Sequence, residues 1–145
     1  MSIVFYAPRE SNCGVAFDLY TPELLRKHHD IIWVFGNNLL NVGNGGQAII
    51  RNEPNALGLV SKRTPDHSPA AYMTGTPTDY DAVNADLARI EELALSGKQL
   101  VFPAAGIGTG LARLQTTAPD LLAYIDSEIS KLIHADYRLL RNTMR

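Results

Sequence analysis

Short apolar runs alternating with amphipathic stretches set the pattern of this chain. Ile3 to Ala7 is rich in β-formers and stops at Pro8, and Ile31-Ile32-Trp33-Val34-Phe35 is apolar without a break. Gln99-Leu100-Val101-Phe102 repeats that pattern. A continuous run, as opposed to an alternating one, predicts a strand covered on both faces, as in parallel sheets. Val15 to Leu19 and Leu57 to Lys62 read as further strands. Between them Tyr80, Val83, Leu87, Ile90, Ala94 and Leu95 recur at three- and four-residue spacings, the period of an amphipathic helix, which Gly97 ends. Thr21-Pro22-Glu23 opens a shorter helix running to His28-His29-Asp30, with a capping hydroxyl, a proline at the first helical position and an acid near the positive end. Thr117-Ala118-Pro119-Asp120 opens the last long helix, its inner face made of Leu121, Leu122, Ile125, Ile129, Leu132 and Ile133. Gln47 to Asn52 predicts a short helix cut off before Pro54. Arg63 to Thr78, with Pro65, Pro69, Pro77 and Gly75, reads as a loop with a short strand around Tyr72. Asp136 to Arg145 reads as a final edge strand or a frayed tail.

This alternation predicts one α/β domain over residues 1–145, a sandwich with a mixed, mostly parallel sheet. In such sheets ligands bind beyond the carboxyl ends of the strands. Two glycine-rich loops fall there. One follows the strand ending at Phe35 and contains Gly36-Asn37-Asn38 and Gly43-Asn44-Gly45-Gly46-Gln47-Ala48. The other follows Phe102 and reads Pro103-Ala104-Ala105-Gly106-Ile107-Gly108-Thr109-Gly110. Glycine lets backbone N–H groups approach an anion closely, and a following helix adds its positive end. Two such loops predict a cleft that grips a diphosphate from both sides.

Composition narrows the classes. With 145 residues, 46% hydrophobic and 19% charged, the chain has the make-up of a soluble globular protein. A net charge of −2 and no Lys/Arg block argue against a nucleic-acid groove. The lone Cys13 excludes an intrachain disulfide and a cysteine zinc site, and fits a reducing compartment. The first ten residues lack a signal-peptide pattern, and no apolar run reaches the ~18–20 residues that span a bilayer. The expectation is a cytoplasmic protein with no membrane and no nucleic-acid partner. His67 and His134 have no partner at ligand spacing, and His28 and His29 do not share a helix face, so no metal site is expected.

The segment from Gly43 to Ala48 formally matches the dinucleotide fingerprint G-x-G-x-x-A. That fingerprint needs its first glycine directly after the strand, whereas Gly36 to Val42 intervene. The acid expected some 20 residues on is replaced by Lys62-Arg63. Neither loop carries the Gly-Lys-Ser/Thr of a Walker motif. Trp33 reads as core, as by default do Tyr72, Phe5 and Phe17, which could otherwise stack on a base. Glu91, Glu92, Asp126 and Glu128 read as solvated helix charges.

Strand, asparagine-containing turn, glycine-rich loop and helix, then a later strand-Pro-Ala and Gly-Thr-Gly, resemble the macro domain family. Asn38 matches the second asparagine of its Asn-Ala-Ala-Asn element, with Phe35 at the position of the first. Gly43-Asn44-Gly45 takes the place of its triple glycine, and Gly108-Thr109-Gly110 that of its Ser-Thr-Gly. Gly36-Asn37-Asn38-Leu39 and Gly108-Thr109-Gly110-Leu111-Ala112 are closer still to small macro-like proteins, many of them phage-encoded. The resemblance covers roughly residues 31–52 and 99–125. It implies a three-layer α/β/α sandwich that binds ADP-ribose or a related adenine diphosphate, with no cofactor. The candidate ligand contacts are Gly36, Asn37, Asn38, Gly43 to Gln47 (Gly43, Asn44, Gly45, Gly46, Gln47) and Ala105 to Leu111 (Ala105, Gly106, Ile107, Gly108, Thr109, Gly110, Leu111). Asn38 is the candidate catalytic residue, expected at the distal ribose. The competing structural reading gives the glycines to tight turns and close packing, and Asn37 and Asn38 to closing a turn. A hydrolase of an ADP-ribosyl or ADP-ribose-phosphate bond, and an interaction module with a vestigial cleft, are the competing readings.

Overall fold

The computed structural model describes residues 3–144, with side chains through Leu140. Among these residues five strands make one sheet: β1 (Phe5–Tyr6), β2 (Cys13–Ala16), β3 (Ile31–Asn38), β4 (Ala56–Lys62) and β5 (Gln99–Pro103), in the order β1-β2-β5-β3-β4. β1 runs antiparallel to β2, and the other neighbouring pairs are parallel. The helices are α1 (Pro22–Lys27), α2 (Pro77–Leu95), α3 (Leu114–Thr117), α4 (Pro119–His134) and α5 (Tyr137–Met144), with 3₁₀ turns at Gly46–Ile50 and Pro69–Ala71. The chain is therefore α/β with a mixed, mostly parallel sheet, an arrangement compatible with an α/β sandwich.

Strand periodicity explains the unbroken apolar runs. Trp33 and Phe35 of β3 and Val101 of β5 pack with Leu24 and Leu25 of α1 and with Ile50. Val34, Leu100 and Phe102 belong to a second cluster, with Val83, Leu87 and Ile90 of α2 and Leu121 and Ile125 of α4. Successive side chains of a strand point to opposite faces, so a strand covered on both sides needs no polar alternation.

The connections decide where a crevice opens. The chain leaving β3 passes through the Gly46–Ile50 turn on the Trp33 side of the sheet. The chain leaving β5 runs to α3 and α4 on the other side. β3 and β5 are adjacent and parallel, and connections that depart on opposite faces leave a gap at their shared carboxyl edge.

Several expected boundaries shift. β1 is reduced to two residues, and β2 begins at Cys13 and ends at Ala16, short of the expected Leu19. β3 runs on through Gly36, Asn37 and Asn38, because all three pair with β4. α2 begins three residues before Tyr80. Thr76 caps it, in a capping box with Asp79. Tyr72 makes an isolated antiparallel bridge to Lys62 in place of a strand. The C-terminal segment is neither edge strand nor tail: Asp136 Oδ1 accepts from the Leu139 amide at 3.1 Å and Tyr137 is buried in the core, which together start helix α5. Arg145, the last residue of that expected segment, lies outside the described residues.

Candidate functional site

A cleft of about 530 Å³ opens at the carboxyl edge of β3 and β4, between the two glycine loops. Of the expected contacts, Gly36, Asn37, Asn38, Gly43, Gly45, Gly46, Gln47, Gly108, Gly110 and Leu111 line it. Asn44, Ala105 and Thr109 are exposed outside this lining. Ile107 is fully buried in the core cluster that holds Leu114. Gly106 contributes its carbonyl, which takes a hydrogen bond from Gln47 Nε2 at 2.8 Å.

Gln47 sets the spacing of the walls. Its Oε1 accepts from the Gly36 amide at 2.9 Å, while its Nε2 reaches the second loop at Gly106. One neutral side chain thus ties the end of β3 to both loops. Leu111 adds an apolar contact from the second loop to the first, since a Cβ placed on Gly45 would lie 3.0 Å from Leu111 Cδ1.

The two asparagines have local partners. Asn38 is buried, its Oδ1 accepting from the Leu40 amide at 3.0 Å and its Nδ2 donating to the Val42 carbonyl at 2.8 Å. This is the side-chain-to-backbone turn asparagine commonly makes, and it fixes the path from β3 into the first loop. Asn37 Oδ1 accepts from the Asn38 amide and from Arg51 Nη1, and its Nδ2 donates to Asn41 Oδ1 at 2.6 Å.

The donors left over are in the backbone. Among the described residues, the amides of Gly43 to Gln47 and of Gly108 to Ala112 donate to no protein acceptor. The helices expected to reinforce them are short. The first loop enters a 3₁₀ turn of five residues and the second the four-residue α3, so their dipoles are confined to about one turn each.

Side-chain charge, absent from both loop sequences, comes from their surroundings. Arg51 lines the cleft beneath the first loop, with its Cζ 5.3 Å from the Phe35 ring centre. It donates through Nε to the Gly43 carbonyl at 2.8 Å and through Nη2 to the Val42 carbonyl at 3.2 Å. Burial pulls its pKa below the ordinary arginine value. Lys62, at the end of β4, also lines the cleft and donates to the carbonyls of Pro65 and Asp66 at 3.3 and 2.7 Å. Neither cation has a carboxylate within ion-pair reach among the described residues, whereas the adjacent Arg63 grips both oxygens of Asp79. Ser61, His67 and Pro65 complete this side, and no Asp or Glu is among the lining residues. Nor do three His, Cys, Asp or Glu side chains gather into a metal site among the described residues.

Sequence reading missed Arg51, Ser61, Lys62 and His67. The one available signal was Lys62-Arg63, a basic pair where a dinucleotide-binding strand would end in an acid. Arg51 gave none, because its role depends on the 3₁₀ turn folding it back under Gly43.

Fold and cleft together define an α/β protein with a small, cationic, amide-lined crevice at the carboxyl edge of a mostly parallel sheet. The chain belongs to a family of unknown function, DUF7831, matched over residues 16–128, a span that includes both glycine loops. No curated protein and no solved structure matches it significantly. No helix among the described residues is long and apolar enough to cross a membrane.

Proposed function

We propose that the cleft binds a small anionic nucleotide, ADP-ribose or a related adenine diphosphate, with the diphosphate between the two glycine loops. The observation that carries this reading is a pair of amide runs with no protein acceptor among the described residues, Gly43 to Gln47 and Gly108 to Ala112, whose members other than Asn44 and Thr109 line one crevice. Unsatisfied N–H groups on facing loops suit the acceptor oxygens of a diphosphate. Arg51 and Lys62 add positive charge that no carboxylate among the described residues neutralises. The resemblance of the two loops to those of macro domains supplies the adenine and ribose part of the ligand. The lining offers no carboxylate, and the titratable side chains along it are Arg51, Lys62 and His67.

Calorimetric titration of the purified chain with ADP-ribose, ADP and adenosine tests the reading. Saturable binding of the first two, with adenosine much weaker, is the expected result. Equal affinity for adenosine, or no binding of any of them, would remove the diphosphate from the cleft.

A further inference from the structure

Beyond the glycine loops, the cleft has a second polar end on β4. Ser61 is 2% exposed and Lys62 7% exposed, yet both line the cleft. The pairing of β3 with β4 slips between Asn37 and Asn38: Asn37 pairs with Val60 and Asn38 with Lys62, so Ser61 drops out of the register. Bulges of this kind re-aim side chains beside functional sites. The Ser61 hydroxyl has no protein partner among the described residues, and its Oγ lies 3.6 Å from where a Cβ on Gly36 would stand.

Lys62 is in a setting that does not neutralise it. Its Nζ meets two backbone carbonyls and lies 5.0 Å from the Tyr72 ring centre. The nearby Asp66 carboxylate is engaged elsewhere, by the Thr64 hydroxyl and the Ser68 amide. Two carbonyls and a ring face give the Lys62 side chain no counter-charge, which an incoming anion would supply.

We propose that Ser61 and Lys62 form an oxyanion seat distinct from the glycine loops, which takes a phosphate monoester carried by the ligand in addition to its diphosphate. The glycine loops have amides enough for the diphosphate. A neutral sugar hydroxyl at Ser61 would leave the Lys62 charge uncompensated, whereas a phosphate monoester accepts from the Ser61 hydroxyl and neutralises the ammonium together. The proposal rests on the nucleotide reading for the rest of the ligand, but the seat itself would also accept free inorganic phosphate.

The test is calorimetry with ADP-ribose, with ADP-ribose phosphorylated on either ribose, with ribose 5-phosphate and with inorganic phosphate. One phosphorylated ADP-ribose is expected to bind at least about tenfold more tightly than ADP-ribose itself, the usual scale of a charge-assisted hydrogen bond. Ser61→Ala and Lys62→Gln should each bring that ratio close to one. Ser61→Ala removes a hydroxyl with no protein partner, so it reads the seat without disturbing the fold. A ratio near one in the unaltered protein, or a ratio that survives both substitutions, overturns the seat. If no nucleotide binds but ribose 5-phosphate or inorganic phosphate does, and Ser61→Ala abolishes it, the seat stands and the nucleotide reading falls. If no phosphate compound binds, both fall.

Discussion

Two glycines in the cleft are expected to respond differently to a side chain. Gly108 has φ +90°, and a Cβ there would lie 2.5 Å from Leu114 Cδ1 in the core. Gly108→Ala should therefore cost about 1–3 kcal/mol of stability, visible as a lower urea midpoint. Gly45 has φ −78° and meets only the end of Leu111, a side chain 57% exposed. Gly45→Val should melt much like the parent yet lose ADP-ribose affinity by about tenfold or more, because the added methyls enter the crevice. Normal binding by a folded Gly45→Val would place the anion elsewhere. Asn38→Ala should weaken ADP and ADP-ribose to the same degree and cost about 1–3 kcal/mol, since both ends of the amide already serve the Leu40–Val42 backbone. A loss confined to ADP-ribose would instead put that amide on the distal ribose, where the sequence resemblance had it.

Between elements, the loop after β4 meets α2 around one buried carboxylate, Asp79. Asp79 Oδ2 accepts from the amides of Thr74, Gly75 and Thr76, and Arg63 clamps both of its oxygens at 2.9–3.0 Å. Burial works to raise the Asp79 pKa, but Arg63 and these amides outweigh it and hold the pKa at about 2. A carboxylate with a depressed folded-state pKa contributes stability that is fully present above its unfolded value, near 3.8, and is lost as pH falls toward 2. Urea midpoints should therefore drop between about pH 4 and pH 2, and Asp79→Asn should flatten that limb while lowering stability by about 3 kcal/mol at neutral pH. An unchanged acid limb in Asp79→Asn would assign it to other carboxylates. The elements themselves were largely legible in the sequence, because the apolar runs of β3 and β5 and the spacing of α2 and α4 are local patterns. α5 was not, since its start depends on an Asp136 cap and on Tyr137 finding the core. The glycine loops were legible as a pair. Their cationic surroundings were not, because Arg51 and Lys62 reach the cleft only through a folded-back turn and a slipped strand register.

At the scale of the whole molecule, a net charge of −2 coexists with a crevice whose charged lining residues, Arg51 and Lys62, are both positive. Nucleotide affinity should therefore fall with added salt, by about threefold or more between 50 mM and 500 mM sodium chloride, more than backbone dipoles alone would give. Titrations across that range check it, and a flat response would leave the amides as the main contacts. The remaining consequence concerns the far end of the chain. Cys13 on β2 is fully buried in the core cluster that holds Tyr137 of α5, and burial lifts its thiol pKa to about 11. The thiolate is the nucleophile, so a docked α5 keeps this sulfur inert toward disulfide reagents at neutral pH. Its modification rate then becomes an internal clock for α5 swinging away from the sheet. Read with and without nucleotide, that clock would tell whether occupying one end of the molecule tightens the other.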